Sequence, residues 1–140
     1  MSDDERQMSD DERLERELTD ATRGLLFMSE SDYPLEVVRW RNVTGVTPEY
    51  LRALAGEDPS APVEAVSAEE FFRAAASEPQ WKGAAEIETA RRYQGLLRLL
   101  AGRLADVKAY RVGAINVAVY VVGRSPGGEW LGVSTRVVET

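Results

Sequence analysis

The sequence predicts an α+β domain built as a three-layer αβα sandwich, with a C-terminal antiparallel hairpin central in the sheet. Two observations carry that expectation. Before residue 105 the apolar residues recur mostly every three or four positions, and from Val107 onward the period falls to two. Within the second region Ile115, Val117, Val119 and Val121 share one face of a strand while Ala118, Tyr120 and Val122 leave the other face apolar as well. A strand apolar on both sides is normally covered on both sides.

Each element has its own local signal. Ser9 with Glu12 fits a capping box, and Leu14, Leu18, Ala21 and Leu25 then recur at helical spacing, which predicts a first helix over about residues 10 to 27. Pro34 closes the polar loop after it. Leu35 to Arg41 is rich in β-branched and aromatic residues and reads as a strand. Thr47-Pro48 caps a short helix through Leu54, the run GEDPSAPVEA is turn chemistry, and Val63 to Val66 reads as a short edge strand. Ser67 with Glu70 makes a second capping box for a helix to Ala76. Ile87, Ala90, Tyr93, Leu97, Leu100 and Leu104 mark a long amphipathic helix to about residue 105. SPGG at 125 to 128 turns the final hairpin, whose returning strand is Trp130 to Val138.

Composition narrows the chemistry. The 140-residue chain suits one domain, and it has no histidine and no cysteine. That removes the commonest general base, thiolate catalysis and cysteine metal sites, so any site must use carboxylates, hydroxyls, Lys or Arg. No apolar run approaches a membrane span and the N-terminus lacks a signal-peptide layout, which places the protein in the cytoplasm with no membrane partner. The net charge of -7 is unevenly spread. Residues 1 to 20 hold nine acids against three arginines, and the remaining 120 hold fifteen acids against fourteen bases. An acidic arm on a near-neutral body is expected, not a phosphate mimic. The arm, residues 1–13, contains a direct repeat of MSDDER at Met1 and Met8, so either methionine suits the start; residues 14–140 form the domain.

Several motifs have ordinary explanations. Gly123 to Gly132 lacks the Lys-Ser/Thr of a phosphate loop and lies between two strands. Arg39-Trp40-Arg41 alternates base and aromatic, as single-strand nucleic-acid grooves do, but a strand with Trp40 inward and solvated arginines explains it, and direct nucleic-acid binding is not expected. Arg91, Arg92 and Arg98 read as the solvated face of the long helix. The carboxylates remain. Glu30 and Asp32 flank Ser31 in the loop, and the last strand runs straight into Glu139 and Thr140, so a hydroxyl and two carboxylates emerge at a fixed place. Trp81, after Gln80, reads either as an interface anchor or as a cap on the core.

GLLFMSESDYP, YRVG, VYVVG, SPGG and the terminal STRVVET together resemble the nuclease A inhibitor (NuiA-like) family, from about Leu14 to Thr140. The resemblance implies an αβα sandwich similar to the pathogenesis-related-1 fold, and a cofactor-free, non-enzymatic inhibitor of a sugar-non-specific DNA/RNA nuclease of the ββα-metal class, bound 1:1 by a monomer. It implies that Glu30 and the terminal Thr140 approach the magnesium of the partner nuclease, and that the loop holding Gln80 and Trp81 also touches it. Here the sequence departs from the family pattern, because the loop reads PQW without an aspartate before the tryptophan. Glu139 joins the partner-binding set by its place beside Thr140. Two other classes compete: a small carboxylate hydrolase using Glu30 and Asp32 as an acid/base pair, which lacks an obvious nucleophile, and an adaptor whose acidic arm binds a basic partner.

Overall fold

The computed structural model describes residues 9–78 and 83–139. Helix α1 (Asp10–Thr22) starts as expected, the Glu12 N–H donating to the Ser9 hydroxyl at 3.1 Å, with Asp10, Asp11 and Glu12 at the positive end of the helix dipole. Ser9 to Arg13 are thus the cap and first turn of α1. Leu14 and Leu18 are buried. The helix stops at Thr22, short of the expected end near residue 27. Arg23 leaves the helical dihedrals and Gly24 takes φ +75°, a left-handed geometry that suits glycine. A small hairpin occupies the place of the expected helix end and loop: β1 (Leu26–Met28) pairs antiparallel with β2 (Asp32–Pro34), with Met28 opposite Asp32.

The main sheet has five antiparallel strands in the order β3-β7-β6-β5-β4. Strands β6 (Asn116–Arg124) and β7 (Trp130–Val138) form the long hairpin and lie inside the sheet; β3 (Glu36–Trp40) and β4 (Val63–Val66) are its edges. Strand β5 (Ala105–Val112) is a separate strand that the period-two reading did not delimit. Its ladder slips between Ala105 and Lys108, where Asp106 has φ 55°. Ile115 does not join the face of Val117, Val119 and Val121: it precedes β6 and is exposed, because the strand begins one residue later.

Apolar residues on the two faces of the sheet pack into two separate clusters. Val117, Val119 and Val121 pack with Leu14 and Leu18 of α1, Phe72 of α3 (Ala68–Ala76), and Tyr93, Leu96 and Leu100 of α4 (Ala84–Arg103). On the other face Ala118 and Val122 pack with Val112, Leu51 of α2 (Pro48–Ala55), and the register pair Trp40 and Trp130. Each fully buried Leu contributes about 1.5–3 kcal/mol. Thr47 and Ser67 cap α2 and α3 through the amides of Tyr50 and Glu70. Among the described residues the fold is therefore a mixed α+β arrangement of four helices, a five-stranded antiparallel sheet and a two-stranded sheet.

Two arginine readings need correction. Trp40 is inward and Arg41 solvated, but the Arg39 side chain is only 9% exposed: it donates to Glu129 at 2.5 Å and to Glu15 at 3.4 Å. Opposite charge at both ends makes this partly buried site tolerable for a guanidinium. Arg92 is not merely a solvated helix residue either. It donates to the carbonyls of Ala21 and Arg23, tying α4 to the C-terminal end of α1.

Candidate functional site

The hairpin β1–β2 carries the segment SESD, and it is held from several sides. Phe27, the inward residue of β1, stacks on Phe71 at 4.6 Å between ring centres and meets Phe72 and Tyr93 edge-on. The Tyr93 hydroxyl donates to the Leu26 carbonyl at 2.7 Å, and burial pushes its pKa up to about 12, so it remains a neutral donor at ordinary pH. From the other side the Thr135 hydroxyl of β7 donates to the Pro34 carbonyl at 3.0 Å. The residues between the strands, Ser29 to Ser31, therefore sit on a fixed platform.

That platform is joined to the end of the chain. The Val138 N–H donates to the Ser29 hydroxyl at 3.1 Å, and the same hydroxyl donates to the Ser31 carbonyl at 2.8 Å. One side chain thus shapes its own turn and holds the last residue of β7. On the opposite side the Glu139 N–H donates to the Ile115 carbonyl at 2.8 Å, and the Glu139 carboxylate pairs with Arg111 of β5. Glu30 and Asp32 are exposed on the turn and on β2, and the Glu139 side chain is about half exposed.

Of the site residues expected from sequence, Glu30 follows Ser29 and Glu139 follows Val138, the two residues that this hydrogen bond joins. Gln80, Trp81 and Thr140 lie outside the described residues. Two residues that hold the edge went unrecognised, Ser29 and Arg111. A hydroxyl in a three-residue hairpin loop was the available signal for Ser29, had the hairpin itself been read. Arg111 was legible only once β5 was delimited, since its register partner Val119 places it on the face of Ala109. Among the described residues no group of three or more acidic side chains is arranged to hold a metal ion.

A family model described as nuclease A inhibitor-like protein matches residues 12–140, from the first turn of α1 to the last residue. The chain belongs to the nuclease A inhibitor-like family. No curated protein matches the sequence. Membership gives the protein the general role of a nuclease inhibitor, with a nuclease as its partner. No helix among the described residues is long and apolar enough to cross a membrane.

Proposed function

We propose that the protein inhibits a sugar-non-specific, magnesium-dependent DNA/RNA endonuclease of the ββα-metal class by plugging its active site in a 1:1 complex. A nuclease that cleaves any strand recognises little beyond a hard anionic oxygen beside a metal and cationic groups. Glu30 and the terminal Thr140 supply such oxygens, and a carboxylate or hydroxyl offers no scissile phosphoester bond. Glu139, Gln80 and Trp81 complete the contact surface, the last as an aromatic anchor whose burial supplies affinity that one metal ligand cannot. The layering of helices and sheet is read as the αβα sandwich of the pathogenesis-related-1 type, and the site of action as the cytoplasm.

The observation that carries this reading is the Ser29–Val138 hydrogen bond, which sets the turn bearing Glu30 against the end of the last strand. The bond is read as ordering the turn that leads into Glu30 and the strand end that leads into Glu139 before the partner arrives, so that binding supplies less of that ordering. The test is titration of the purified protein into such a nuclease, following plasmid degradation. Stoichiometric loss of cleavage is expected, weakened about a hundredfold by Glu30→Ala or by ending the chain after Val138, since losing one partner of a buried charged contact costs about 2–5 kcal/mol. Equal potency of both variants would sink the metal-directed mechanism.

A further inference from the structure

Four large apolar side chains are exposed among the described residues: Leu26, Met28, Leu54 and Ile115. Single exposed hydrophobics are ordinary, but the positions of the two most exposed are not scattered. Met28, 76% exposed, immediately precedes Ser29, whose hydroxyl holds Val138; Ile115, 64% exposed, offers the carbonyl that holds Glu139. The two therefore stand on opposite flanks of the same hydrogen-bonded junction. Leu26 shares the outer face of β1 with Met28, because Phe27 between them turns inward. Behind this face lies an apolar groove between β1, α3 and α4, lined by Leu26, Met28, Ala75, Ala85 and Thr89.

We propose that Met28 and Ile115 are apolar contacts on either flank of the anionic edge, and that the surface they frame fits a folded protein whose cationic, metal-bearing cleft has an apolar rim. The proposal rests on the nuclease-inhibitor reading and adds residues and a partner chemistry to it. Charge decides the occupant. A second copy of this chain, packed patch against patch, would bring two sets of the carboxylates Glu30, Asp32 and Glu139 into one contact. A membrane surface carries negative headgroups and would repel the same three carboxylates. A cationic cleft attracts them, while Met and aliphatic side chains around it exclude water from the contact.

The experiment measures binding and inhibition of a magnesium-loaded, sugar-non-specific nuclease of the ββα-metal class by Met28→Ser, Ile115→Ser and, as an exposed apolar control on α2, Leu54→Ser. Each flank variant is expected to weaken binding about tenfold, chiefly through faster dissociation, with an unchanged salt dependence of the association rate. Leu54→Ser is expected to match the wild type, and all three to melt within a few degrees of it. Wild-type affinity in both flank variants, alongside a weakened Glu30→Ala, would overturn the apolar frame and leave the inhibitor mechanism standing. Failure of the wild-type chain to bind any such nuclease would overturn both together. Concentration-dependent dimerisation of the wild type in sedimentation, abolished by Met28→Ser, would assign the surface to a second copy and overturn the proposed partner.

Discussion

Ser29→Ala is the sharpest test of whether the turn and the chain end act as one unit. The substitution removes an acceptor 3.1 Å from the Val138 N–H and a donor 2.8 Å from the Ser31 carbonyl. Two net hydrogen bonds are worth about 1–3 kcal/mol, and the Ser31 bond is exposed enough for water to replace it, so the fold should lose about 1–2 kcal/mol. For a chain of this size that is a fall in Tm of roughly 3–8 °C, leaving the protein folded at 25 °C. The effect on inhibition has a separate origin. Freeing one residue of the turn obliges the complex to re-order it, at about 1–2 kcal/mol, so potency should fall about fivefold to thirtyfold in the plasmid-cleavage titration. Ser29→Thr keeps the hydroxyl and should restore potency, a rescue that general destabilisation would not predict. Amide hydrogen exchange at Val138 gives a readout independent of any nuclease, and it should accelerate in the alanine variant. Unchanged exchange at Val138 together with unchanged potency would refute the coupling.

Three further outcomes test the scaffold. Arg39 holds the Glu129 carboxyl below its ordinary value near 4.5, so this pair contributes stability above that pH and loses it as pH falls through the lower folded-state value; Glu129→Gln should cost about 1–3 kcal/mol at pH 7 by denaturant titration and flatten the acid limb. Burial raises the Tyr93 pKa to about 12, so its contribution is whole below about pH 10 and is lost between there and 12; Tyr93→Phe should remove that alkaline dependence while costing about 1–2 kcal/mol at neutral pH through the stranded Leu26 carbonyl. Gly132→Ala should cost about 2–4 kcal/mol in the same assay, because a Cβ there would lie 1.8 Å from the Val121 carbonyl of the neighbouring strand.

The legible parts of this fold were those governed by local chemistry. Ser9, Thr47 and Ser67 each cap a helix where an amide three residues on needs an acceptor, and those starts are visible in four residues of sequence. The two-sided apolarity of β6 likewise has one physical meaning, and the residues on its two faces enter two separate clusters. The β1–β2 hairpin was hidden because Leu25 continues the helical spacing of α1 while the backbone has already turned at Gly24. Its stability comes from Phe27 against Phe71 and from the Tyr93 hydroxyl, contacts made by helices 44 and more residues away, which no local pattern encodes. For the same reason Glu30 and Glu139 could be singled out as exposed oxygens, but the bond through Ser29 that joins them spans 109 residues. Long-range partnership also explains the misjudged Arg39, whose strand position alone reads as solvated and whose partner Glu129 lies 90 residues on.

Much of the acidity of α1 is engaged in hydrogen bonds and ion pairs. Along α1, Asp11 accepts from the Ser125 hydroxyl at 2.8 Å, Glu15 faces Arg39, Glu17 pairs with Arg103 and Asp20 with Arg23. Asp11, Glu15 and Glu17 are engaged in holding the helix to the sheet and to α4, while Asp20 forms a local, exposed pair with Arg23 at the helix end. At the end of β7 the balance differs. The Arg111–Glu139 pair is partly solvated, with the glutamate half exposed, and such pairs are worth at most about 1 kcal/mol. A partner cation or metal can therefore draw Glu139 away from Arg111 at little cost, while the Ser29 and Ile115 hydrogen bonds keep the backbone of residues 138 and 139 in place. Position is thus fixed by the backbone bonds and the charge is left exchangeable, which is the division an inhibitor needs if its anions are to be ordered before binding yet free to change partner on contact.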